Sequence, residues 1–164
     1  MEFFKRLYNS FKYAANGIVF CINHETNIRI HIVATICVLF LSSFYEFTKE
    51  QYILLILTCL VVICTEMINT AIEVVIDKMS PGYSPLAKVG KDIAAGAVFI
   101  SSMAAVVIGV ILFADIEKLR LVFRFFAEDI GNLAMLLGVA CVFYLFIAKG
   151  GKKRNIKGKN KNGN

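Results

Sequence analysis

The sequence predicts an all-α integral membrane protein: an amino-terminal amphipathic surface helix, a three-helix transmembrane core, and an added fourth transmembrane helix. Three observations carry this. The 164 residues are 58% hydrophobic and contain only two prolines, with a mean hydropathy of +0.69, which is more apolar than a soluble domain of this size needs to be. Apolar runs at about 28–45, 52–77, 92–114 and 130–148 are each long enough, as helices rising ~1.5 Å per residue, to cross a hydrocarbon core ~30 Å thick. The cations are concentrated in segments that four crossings would bring to one side.

Taken in order, residues 2–19 place Phe3, Phe4, Leu7, Tyr8, Phe11, Ala14, Ala15 and Ile18 at helical spacing, with Lys5, Asn9, Lys12 and Asn16 on other faces. That pattern suits a helix lying in the membrane surface. The polar stretch Asn23–His31 leads into the first apolar run. No short apolar region followed by a small-residue cleavage site precedes it, so no removable signal peptide is expected. An acidic turn at 45–51, with Lys49 as its one cation, joins the first and second runs. The stretch 78–92, with two prolines and two glycines, reads as a loop. In the third run Ala97, Ser101, Ala105 and Gly109 recur every four residues, a ridge of small side chains suited to close helix approach in a tight bundle or an oligomer. Residues 115–129 combine Lys118, Arg120 and Arg124 with four carboxylates and with Leu119, Leu121, Val122, Phe123, Phe125 and Phe126, which predicts an interfacial segment rather than a free loop.

With the amino terminus inside, the Lys5/Arg6/Lys12 helix, the 78–91 stretch and the tail with seven cations all fall on the cytoplasmic side, the exception being Lys118, Arg120 and Arg124, which would face outward. The net charge of +6 is largely this tail, which is expected to be disordered. The five cysteines are odd in number, lie in or beside apolar runs and show no CxxC spacing. They read as small buried hydrophobes rather than a disulfide framework or a zinc site. His24 and His31 read as interfacial polar residues, with no third ligand to complete a metal site.

The chemistry is concentrated in the second run, where Glu66, Asn69, Glu73 and Asp77 stand in an otherwise apolar segment. At ~100° per residue they fall within an arc of roughly 80°, one polar stripe on one helix. A carboxylate near hydrocarbon is costly unless paired, protonated, metal-bound or facing water. Three uses fit: a catalytic site, an ion or proton pathway through a small oligomeric channel, or a structural polar network. Phosphoryl transfer in particular needs hard oxygen ligands for Mg²⁺, a cation for phosphate and a base for the acceptor hydroxyl. Glu25, Glu73, Lys91, Arg6 and Glu66 supply those chemical types. No P-loop or protein-kinase glycine loop is present.

The run Glu66-x-x-Asn69-Thr70-Ala71-Ile72-Glu73-x-x-x-Asp77, followed by Lys91-Asp92-x-Ala94-Ala95-Gly96-Ala97-Val98, closely resembles the prokaryotic diacylglycerol kinase family, which includes the undecaprenol kinases of Gram-positive bacteria. The resemblance covers about residues 3–114. It implies a small homotrimer in the bacterial cell membrane, with active sites between subunits at the cytoplasmic face, transferring the γ-phosphoryl group of ATP to a lipid alcohol. By resemblance Glu66 is the general base, Glu25 and Glu73 hold Mg²⁺ against ATP, and Lys91 contacts phosphate. Arg6, Tyr13, Asn69, Asp77 and Asp92 match further positions of the nucleotide site. No nucleic-acid partner is expected. Asn27-x-Arg29-Ile30-His31 and Ser84-Pro85-Leu86-Ala87-Lys88 look like the Gram-positive branch, because diacylglycerol-preferring members commonly carry an acidic residue where His31 stands, which favours undecaprenol over diacylglycerol.

Two departures from the family pattern are visible. Gly82 and Ser84 stand where members often have an acidic residue and a histidine, so no nucleotide contact is assigned to them. Most members stop after the third helix, whereas this chain continues. The expected organisation is a kinase-like membrane domain at 1–114, an interfacial segment with an extra transmembrane helix at 115–148, and a basic tail at 149–164 that serves topology and retention.

Overall fold

The structure, a computed structural model, describes residues 2–80 and 82–149. The first helix, α1 (Glu2–His24), runs past the expected end at residue 19. Phe3, Phe4, Tyr8 and Phe11 line it as exposed side chains, as an interfacial helix requires. It stops at Glu25, whose backbone is extended (φ −110°, ψ 122°), and α2 (Thr26–Ser42) leaves at 100° to it. Only one residue of the bend is non-helical.

Three helices are each long and apolar enough to cross a membrane: α3 (Lys49–Met79), α4 (Pro85–Leu112) and α6 (Ile130–Ala148). The fourth expected crossing falls on α2, the apolar arm of the bent pair, whose 17 residues span about 26 Å. The start of α3 is fixed by a reciprocal capping box: the Gln51 amide donates to Thr48 Oγ1 (3.4 Å) and the Thr48 amide to Gln51 Oε1 (2.9 Å).

The expected loop at 78–92 is much shorter than its prolines suggested. Pro85 occupies the first turn of α4 and Ser84 caps it, accepting from the Ala87 amide at 3.3 Å. A proline in the first turn begins a helix rather than breaking one, since its missing N–H would have been unsatisfied there anyway. Lys88, Lys91 and Asp92 therefore stand on a helix.

The most extensive packing is between α3 and α4. Part of the small-residue ridge is used within the chain, because Ser101 hydrogen-bonds Thr65 across the pair at 2.9 Å. Close approach is tightest at Gly90, where an added Cβ would lie 3.1 Å from Ile76 Cδ1. Gly109, by contrast, faces open space.

The interfacial segment is helix α5 (Ile116–Ala127), strongly amphipathic and capped by Asp115, whose Oδ1 accepts from the Glu117 and Lys118 amides. It packs on α6, and α6 packs on α2. Two ring contacts, Phe44 with Phe125 at 5.3 Å and Phe40 with Phe126 at 6.4 Å, join α5 to the end of α2. Lys118 Nζ donates to the Tyr45 carbonyl (2.9 Å) and to Glu46 Oε2 (3.0 Å). Glu46 is the one non-glycine residue at positive φ (49°) among those described, so this contact pins a turn that is costly for a side chain of its size. Beyond Lys149, the basic tail lies outside the described residues.

Candidate active site

The polar stripe survives folding as a graded series along α3. Glu66 is 2% exposed, Thr70 2% and Asn69 8%; Glu73 is half-buried and Asp77 exposed. The deepest carboxylate is therefore the one the sequence placed farthest into the apolar run. Asn69 Nδ2 donates to Glu73 Oε1 at 3.1 Å, an i,i+4 pair on the helix surface. That bond leaves Asn69 Oδ1, like Thr70 Oγ1, buried without a partner among the described residues. Unpartnered buried acceptors are rare in folded proteins, and here two adjoin the carboxylates.

At the carboxy-terminal end of α3, Lys91 Nζ donates to Asp77 Oδ1 in a half-exposed ion pair. The pair links α3 to α4 one residue beyond the close approach at Gly90. Lys91, expected to contact phosphate, is thus joined to the last carboxylate of the stripe.

Glu25 sits at the α1–α2 break, half-buried, with both α1 and α2 packed on α3. Its amide donates to the Cys21 carbonyl at 2.8 Å, the last helical bond of α1. Three other expected residues are not brought to the cluster within one chain. Arg6 pairs with Glu2 on its own helix at 3.4 Å, with both side chains exposed. Tyr13 and Asp92 are exposed as well. Among the described residues no three His, Cys, Asp or Glu side chains converge to hold a metal on their own.

Sequence reasoning missed one participant. Arg29 is 3% exposed, in the first turn of α2, and its guanidinium donates to the Ile22 carbonyl (2.7 Å) and to Thr26 Oγ1 (3.0 Å). The available signal was a permanently charged residue between Ile28 and Ile30 at the mouth of an apolar helix, which is costly without a partner. A second feature is a cavity of about 320 Å³ between α2, α3 and α4, apolar apart from His31, Thr35, Thr58 and Ser102. Its wall includes Val62, one helical turn from Glu66 on α3.

Comparison with known proteins follows this geometry. The profile of the family described as prokaryotic diacylglycerol kinase matches residues 12–113, from within α1 to the end of α4. A diacylglycerol kinase of Synechocystis is 37% identical over 101 residues, covering 61% of this chain and 58% of that protein. An undecaprenol kinase of Bacillus subtilis is 32% identical over 108 residues, covering 66% of this chain and 88% of its relative. A diacylglycerol kinase of Haemophilus influenzae is 35% identical over 109 residues, 65% and 92% of the two chains. The chain thus spans less than two thirds of the Synechocystis relative. No solved structure matches it. The helices α5 and α6 lie beyond the matched region.

Proposed function

Because this chain belongs to the prokaryotic diacylglycerol kinase family, a family of membrane lipid kinases, we propose that it transfers the γ-phosphoryl group of ATP to undecaprenol at the cytoplasmic face of a bacterial cell membrane. The observation that carries this reading is the buried carboxylate Glu66, standing on one helix above the Asn69–Glu73 pair and the Asp77–Lys91 ion pair.

In this reading the acceptor hydroxyl attacks the γ-phosphorus, the bond from that phosphorus to the β,γ-bridging oxygen breaks, and ADP leaves. Glu66 takes the hydroxyl proton. Burial suits it to the role, since water is kept from competing for the hydroxyl proton. Lys91 contacts phosphate and Asp77 holds its ammonium in place. The donor set near Glu73 fits Mg²⁺: hard oxygens, including the orphaned Asn69 Oδ1, and few carboxylates, as expected of a cation that completes its shell with water and substrate phosphates. Glu25 and Glu73 are the carboxylates assigned to hold it. A Mg²⁺ held by them would supply charge neutralisation on the transferred phosphate. The exposed Arg6, Tyr13 and Asp92 are then residues that meet the nucleotide across a subunit boundary, as a homotrimer with shared sites would require.

The cavity lined by His31 and Val62 suits the hydrocarbon chain of a lipid whose hydroxyl reaches toward Glu66. A second reading, phosphorylation of diacylglycerol to phosphatidic acid, is favoured by the 37% identity to the Synechocystis relative. The two separate in one experiment: purified protein in detergent with γ-labelled ATP, Mg²⁺, and both lipids in competition. Preferential labelling of undecaprenol is expected. Preferential labelling of diacylglycerol would select the second reading, and labelling of neither would overturn both.

A further inference from the structure

Helix α1 ends with carbonyls that have no helical partner, as every helix does. Cys21 O is satisfied by the Glu25 amide. His24 Nδ1 lies 2.9 Å from Phe20 O, and its ring stacks on that of Phe20 at 4.3 Å. Ile22 O would bond the amide of residue 26 in an unbroken helix, but the break at Glu25 diverts it. It is taken up instead by Arg29 Nη1 at 2.7 Å, while Nη2 of the same guanidinium reaches Thr26 Oγ1 at 3.0 Å. One planar group therefore bridges the last turn of α1 and the first residue of α2, across the 100° bend. A carbonyl seven residues back is out of reach of a side chain that follows one continuous helix, so this contact exists only in the bent geometry.

From this we infer that Arg29 is a positioning residue: its guanidinium staples the α1–α2 bend and thereby fixes Glu25, the single residue at the apex, between two helices that both pack on α3. The inference rests on the assignment of Glu25 to Mg²⁺. Arg29 is 3% exposed, so water competes little for its guanidinium, and the planar fork suits two acceptors on different helices in a way an ammonium does not. Both bonds leave Nε unused and buried without a partner. Arg29 therefore keeps an energetically costly site while its side-chain hydrogen bonds go only to the two sides of the bend.

The test uses the full chain in detergent micelles and compares Arg29→Lys, Thr26→Val and Glu25→Gln. Thr26→Val removes one of the two bonds and leaves the other, so it reports on the staple even if Arg29→Lys fails to fold. Two readouts are taken: amide hydrogen exchange over residues 20–29, without nucleotide or metal, and the Mg²⁺ dependence of turnover. Faster exchange at the bend is expected in Arg29→Lys, with a smaller change in Thr26→Val and none in α6. The Mg²⁺ concentration for half-maximal activity should rise about tenfold or more in Arg29→Lys, with most of kcat recovered at saturating Mg²⁺. Exchange at the bend unchanged in both staple variants would overturn the inference. So would a weakened Mg²⁺ response in Glu25→Gln that neither staple variant shares. If Glu25→Gln leaves the Mg²⁺ response unchanged, the metal role of Glu25 falls and the functional half of the inference with it, while the exchange data still decide whether Arg29 holds the bend.

Discussion

At the scale of single residues, the depth gradient along α3 divides labour among otherwise similar carboxylates. Asp77 is solvated and paired, so it tunes a neighbour; Glu66 is enclosed. Replacing Lys91 by Met should raise the KM for ATP by about 10- to 100-fold, the worth of a charged hydrogen bond, and change kcat less. Asp77→Asn should have a smaller effect of the same kind. The double variant should cost less than the sum of the two, because the residues share one interaction. Steady-state kinetics with varied ATP checks all three. The stripe was legible in the sequence because a carboxylate in an apolar run is anomalous wherever the run ends up. Arg29 was not, because its role depends on a carbonyl freed by a break seven residues earlier, and spacing alone does not reveal where an acceptor goes unsatisfied.

At the scale of elements, the start of α4 matters most, since it determines that Lys91 and Asp92 are helical and that Lys91 meets Asp77. Two prolines and two glycines between 78 and 92 read as a loop over that whole stretch. Pro85, preceded by a serine that accepts from Ala87, is instead a helix start. Ser84→Ala should cost about 1 kcal/mol of stability, readable as a lower unfolding midpoint in mild detergent, and should weaken ATP binding through the displaced Lys91. Gly90→Val should do the latter more strongly, because α4 must retreat from Ile76 to admit the side chain. A normal KM for ATP in Gly90→Val would show that the close approach does not position Lys91. The interfacial helix α5 was legible from its mixed charge and aromatic content; the Lys118 contact that ties it to the α2–α3 turn was not, as it joins residues more than 70 apart in sequence.

At the scale of the molecule, the chain adds α5 and α6 to the part that matches the family. They cover α2 through the Phe40/Phe44 and Phe125/Phe126 contacts and so take one lateral face out of contact with lipid. On α4 Ala97 is exposed, whereas Ala105 and Gly109 of the same ridge line the cavity between α2, α3 and α4. A homotrimer built around Ala97 accounts for its exposure, since small residues allow close helix approach in lipid. Ala97→Leu should then shift the detergent-solubilised protein toward monomer in cross-linking and lower activity, with the helical content of the chain unchanged. A stable trimer with Leu at position 97 would move the subunit contact elsewhere.

The central claim is that Glu66 removes the proton from the lipid hydroxyl. It is tested most directly by Glu66→Gln, measured for ATP binding at equilibrium and for phosphate transfer to undecaprenol in the same preparation. The account predicts nucleotide affinity close to that of the unaltered protein and turnover reduced by about 10²- to 10⁴-fold, the usual worth of a general base. Turnover retained in Glu66→Gln, or lost only in step with ATP binding, would contradict it.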